Sequence, residues 1–173
     1  MRRIERSREA GFTLIEIIVV MILIGVLAAL AIPRFPTYPT AGVASRRLLS
    51  DVRYAKELAG RLQDTGGNPC CGIYFISSTQ YRVFTNNNTS TAAMDPQTGT
   101  AMERTMTGKF SGVTITYPTS FTGNILKFNS LGTPLEGSGA GTALSAAESV
   151  TVSGSGGPRT VTIEPNTGKV TGS

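Results

Sequence analysis

The hydrophobic pattern divides the chain into three textures. From Phe12 to Ile32 apolar residues run with Thr13, Glu16 and Gly25 as the exceptions. A helix of these 21 residues rises roughly 32 Å, close to the hydrocarbon thickness of a bilayer. It has no polar face, so the pattern predicts a membrane-spanning helix rather than a buried soluble one. A secretory signal peptide fits poorly. The run exceeds the usual apolar core of about 7–15 residues, and Pro33-Arg34-Phe35-Pro36 stands where a small-residue cleavage site would be needed.

Pro33, Pro36 and Pro39 then predict a proline-rich break over 33–40, because each lacks an N–H and restricts the residue before it. A second helix is predicted from Ala41 to Leu62. There Leu48, Val52, Ala55, Ala59 and Leu62 form one stripe, with Arg46, Arg47, Arg53, Lys56 and Glu57 mostly off it. Beyond Gly66-Gly67 the texture turns to short alternating segments. Strands are predicted at Gly72–Ser77, Tyr81–Thr85, Val113–Tyr117, Ile125–Asn129, Ser149–Ser153, Arg159–Glu164 and Lys169–Thr171. A turn at Ser77–Gln80 makes the first two a hairpin, and Pro165-Asn166-Thr167-Gly168 marks another turn. Asn86–Met106 is polar and without a period, either an exposed loop or the carrier of a small element. Gly132–Ala147 reads as a second, mobile loop. The expected class is α+β: a long N-terminal hydrophobic helix, then a second helix packed on antiparallel sheets.

Composition narrows the chemistry. The chain has 173 residues, net charge +5, no histidine and two cysteines, the neighbours Cys70 and Cys71. The commonest general base and metal ligand is therefore absent, and no four-ligand zinc pattern is available. No cofactor, metal site or catalytic group is expected. The segment before the run (Arg2, Arg3, Glu5, Arg6, Arg8, Glu9) carries +2 of the charge. Arginines flank the run on both sides, so charge counting leaves its orientation open.

One carboxylate inside an apolar run calls for a reason. A charged group at the centre of a membrane helix costs about 2.5–3.5 kcal/mol, less near the interface, and such residues usually have a partner. Gly11-Phe12-Thr13-Leu14-Ile15-Glu16, behind a short basic leader and ahead of the apolar helix, resembles the processing site of type IV prepilins and type II secretion pseudopilins. The resemblance implies that residues 1–11 are a cytoplasmic leader, cut between Gly11 and Phe12 by prepilin peptidase, with N-methylation of Phe12. It further implies a helix 12–32 that anchors the subunit in the inner membrane as a single pass and later assembles it, with a periplasmic head over 41–173. The implied partners are the peptidase, an inner-membrane assembly platform, and other pilin or pseudopilin subunits. Glu16 lies one helical turn from the new amine, and pairing between subunits in low dielectric would set their stagger.

The later chain extends the resemblance. Leu48-Leu49-Ser50-Asp51-Val52-Arg53-Tyr54-Ala55-Lys56-Glu57-Leu58-Ala59, Ile125–Gly132 and Val161–Val170 are similar to minor pilins of the FimT and secretion-type H group. Some mannose-sensitive haemagglutinin-type minor pilins read similarly. The implied role is a minor structural subunit rather than an enzyme.

Other features are weaker. Cys70 and Cys71 leave open a vicinal disulfide, two reduced and partly buried thiols, or pairing with another subunit. Ser153-Gly154-Ser155-Gly156-Gly157 lacks phosphate-loop spacing and reads as a turn. Asp95-Pro96-Gln97-Thr98-Gly99-Thr100 offers one carboxylate toward calcium and also reads as a turn. The cations Arg82, Arg104, Lys109, Lys127, Arg159 and Lys169 motivate an alternative in which the head binds DNA or a surface ligand.

Overall fold

The computed structural model describes residues 12–31, 39–62 and 69–173. The chain divides into two compact units, Met1–Thr37 and Tyr38–Ser173. The described part of the first is one helix, α1 (Leu14–Ala31). The expected leader, and the expected proline break from Pro33 to Tyr38, lie outside the described residues.

The second unit is a head built on α2 (Thr40–Arg61). Its helical spacing carries Ala44, Leu48, Val52, Ala55 and Ala59 to one face, each at most 1% exposed. Leu62, the last residue of the predicted stripe, is the C-cap and is largely exposed. The helix ends there because the backbone turns extended, with the Leu62 N–H donating to Leu58 O.

Two antiparallel sheets receive the buried face. The first contains β1 (Cys71–Ser77), β2 (Gln80–Thr85), β3 (Asn88–Ala92), β4 (Glu103–Thr105), β6 (Ile125–Phe128), β7 (Pro134–Glu136) and β8 (Thr142–Ala143). Its order is β3-β2-β1-β6-β7-β8, with β4 also pairing β2. The second contains β5 (Thr114–Thr116), β9 (Glu148–Ser153), β10 (Arg159–Ile163) and β11 (Val170–Gly172), in the order β11-β10-β9-β5. Alternation supplies the core: Ile73, Phe75, Val83, Leu126 and Phe128 from the first sheet, and Ile115, Val150, Val152, Val161 and Ile163 from the second. Phe75 stacks on Tyr117 at 4.7 Å and on Phe121 at 6.0 Å between ring centroids.

Of the two readings left open for 86–106, the carrier of a small element is the one observed, and the predicted loop at 132–147 is corrected. The first carries β3 and β4, and the second carries β7 and β8. The second also supplies Leu135 and Leu144 to the interior. β1 approaches β6 closely at Gly72, where a Cβ would lie 2.2 Å from Leu126 O, so no side chain fits.

Candidate functional site

α1 begins at a defined point. Thr13 precedes the helix, and its carbonyl accepts the Glu16 and Ile17 N–H groups at 3.1 and 3.3 Å. Its Oγ1 also accepts the Glu16 N–H at 3.4 Å. Thr13-Leu14-Ile15-Glu16 thus has the order of a capping box, a helix-start signal that the hydrophobic reading passed over. Phe12 stays outside the helix, directly after the predicted cut; Gly11 lies outside the described residues.

The exposure of α1 is its main property. Phe12 is 78% exposed, and every apolar side chain described from Leu14 to Leu27 is exposed as well. Phe12, Glu16, Val20 and Ile24 follow at intervals of four and line one shallow groove with Ile17 and Met21. Glu16 therefore lies on the same stripe as Phe12, and among the described residues no cation or donor pairs with its carboxylate. The described helix rises about 27 Å, short of a bilayer's roughly 30 Å core. Among the described residues no helix is long and apolar enough to cross a membrane. Ile32, the last residue of the apolar run, lies beyond them.

In the head, the start of α2 is capped from another element. Thr40 N–H donates to Ser155 Oγ at 3.1 Å, Ala41 N–H donates to Ser155 O at 3.2 Å, and Ser155 N–H donates back to Thr40 Oγ1 at 3.2 Å. The 153–157 turn reaches this far because Gly156 adopts φ +90° and a Cβ there would lie 2.7 Å from Pro39 Cβ. The glycine and serine text is a helix cap, built 115 residues away in sequence.

Beside α2 lies a partly buried polar network. Asp51, on the apolar face, accepts from Tyr81 Oη at 2.8 Å and from Arg104 Nε at 3.2 Å. Arg104 Nη2 donates to Asp95 at 2.8 Å. Burial, and then the Asp51 carboxylate, push the Tyr81 phenol well above its usual range. Burial works against the Arg104 charge, but its bonds to Asp95 and Asp51 outweigh that and hold its pKa up. The Arg104 and Gln97 N–H bonds lower the Asp95 pKa. The Asp95 carboxylate, considered above for calcium, is thus occupied by arginine. Among the described residues no three metal-binding side chains come together.

The cation inventory changes accordingly. Arg82 pairs with Glu103, and Arg104 pairs with Asp51 and Asp95. Lys127 is 1% exposed and donates to Asn87 Oδ1 at 2.5 Å and to Gly139 O at 2.9 Å. Three of the six cations that motivated DNA binding are therefore engaged inside the head. Cys70 and Cys71 are both free and buried. Cys70 Sγ lies 2.7 Å from Leu62 O, and burial raises the Cys71 pKa well above the usual thiol range.

Residues 6–32 match the family model of the prokaryotic N-terminal methylation motif. The match ends where the apolar run ends and leaves the head uncovered. No curated protein and no solved structure matches the chain. The motif is that of type IV pilin-like proteins, which are processed by prepilin peptidase and are structural rather than enzymatic.

Proposed function

We propose that this chain is a minor structural subunit of a type IV pilus or type II secretion pseudopilus. The observation that carries the reading is α1: a helix apolar on every face, exposed along its described length, with one carboxylate in its first turn and a methylation motif over it. Prepilin peptidase cuts between Gly11 and Phe12, and the new amine on Phe12 is methylated. Before assembly the apolar run 12–32 anchors the subunit in the inner membrane, with the head in the periplasm. During assembly the run leaves lipid for the helices of neighbouring subunits.

The physical logic is substitution of one apolar environment for another. Lipid and a bundle of helices both satisfy an all-apolar helix. Glu16 adds direction. A carboxylate on the Phe12 stripe can pair with a neighbour's amine, whereas a misregistered neighbour leaves a buried charge unpaired at a cost of several kcal/mol. The cut is tested by mass. Wild-type protein made with the peptidase should lose residues 1–11 and carry one methyl group on Phe12, while Gly11→Val should retain the full-length mass. Normal processing of Gly11→Val would overturn the assigned site.

A further inference from the structure

Below the first turns of α2 the head has a cleft of about 390 Å³, lined by Pro39, Val43, Arg46, Leu49, Arg159 and Ser173 among others. Two arginines enter it from different elements, Arg46 from α2 and Arg159 from β10. Both are exposed, and neither has an ion pair or hydrogen bond among the described residues. Among the described residues no Asp or Glu lines the cleft. Two guanidinium groups against at most one terminal carboxylate leave it net positive. Val43, 51% exposed, and Pro39 give it an apolar margin.

We propose that this cleft docks on the phosphate of an anionic lipid in the membrane that anchors the chain. Three observations select that partner. Arginine forks match phosphate oxygens in bidentate geometry. Pro39, which lines the cleft, is seven residues past Ile32, the end of the apolar run. Seven residues reach at most about 25 Å, so an anchored chain keeps the cleft within reach of the headgroups. The mixed lining also suits the membrane interface, where charged headgroups meet acyl chains. An extended nucleic-acid track would need a line of free cations, and Arg82, Arg104 and Lys127 are already engaged within the head. The docked head would be held while the subunit waits in the membrane and released when it leaves.

This inference rests on the membrane-anchored reading, and the experiment separates the two. The full chain is reconstituted in nanodiscs of zwitterionic phosphatidylcholine, or of phosphatidylcholine mixed with phosphatidylglycerol. Arginine modification by phenylglyoxal is followed residue by residue by mass spectrometry. Arg46 and Arg159 should react about fivefold more slowly in the anionic discs, the effect expected of about 1 kcal/mol per arginine at such a surface. Arg61, exposed at the other end of α2, serves as the control and should not change. Arg46→Ala should restore the rate at Arg159. Equal rates in both discs would overturn the proposal, as would equal slowing of Arg61. Protection in zwitterionic discs by inorganic phosphate alone would assign the cleft to a free anion and overturn the lipid. Protection there by an oligonucleotide would assign it to nucleic acid and do the same. A chain that fails to enter the discs would instead overturn the anchor.

Discussion

α1 and α2 are both long helices of one chain, and they solve opposite problems. α2 buries Leu48, Val52, Ala55 and Ala59 on one face and leaves Arg46, Arg53 and Glu57 in solvent. Its apolar residues find partners within the head. α1 has apolar residues all round, and those described remain exposed. Among the described residues of its unit nothing covers them. The contrast teaches that helix formation and burial are separate questions. Local hydrogen bonding makes both helices, but the angular spread of apolar side chains decides whether the chain can cover them itself.

Substitutions should keep the two regions apart. Asp51→Ala should have the largest effect on the head, because it leaves the buried Tyr81 hydroxyl without its acceptor and the half-buried Arg104 charge with Asp95 alone. A loss of about 3–5 kcal/mol is expected in urea unfolding of the full chain in detergent. Leu48→Ala, which opens a cavity at a fully buried position, should cost about 2–5 kcal/mol by the same measurement. Val20→Ala on α1 should leave the head's unfolding midpoint unchanged; a shift as large as that of Leu48→Ala would mean that α1 is part of the head's cooperative unit.

Acid should act on the head more gently. The folded-state pKa of Asp95 is depressed, so the stability it contributes is present above the ordinary carboxylate range and is lost as pH falls through its folded value. Asp95→Asn should flatten that acid limb. Lys127 is the reverse case, because burial lowers its pKa. The folded state then binds fewer protons than the unfolded state between the lowered value and about 10.5, so stability should rise with pH across that window. Lys127→Met should remove the rise, and an unchanged alkaline limb in that variant would count against the burial of its charge.

The parts of this fold that were readable share one property: their side chains alternate with burial. The α2 stripe, β9 through Val150 and Val152, and β10 through Val161 and Ile163 show it directly. β3 buries none of its side chains fully and is held by backbone pairing to β2, so a hydrophobic pattern could not reveal it. β8 is two exposed residues. The Phe12 and Glu16 positions stood out as a candidate site because a carboxylate in an apolar run is conspicuous. The Asp51–Arg104–Asp95 network was not, since its members are 53 and 9 residues apart and meet only once the sheet is formed. Its local signals were an acid beside the α2 stripe at Asp51 and, for a comparable buried cation, Lys127 inside Ile125-Leu126-Lys127-Phe128.

The central claim is that α1 is an assembly element whose one carboxylate fixes how subunits stack. The most direct test is Glu16→Ala in cells that make the filament, scoring the mature mass and the sheared filament yield together. The account predicts a correctly cut, membrane-retained subunit that is largely missing from filaments. Wild-type incorporation of that variant would contradict it.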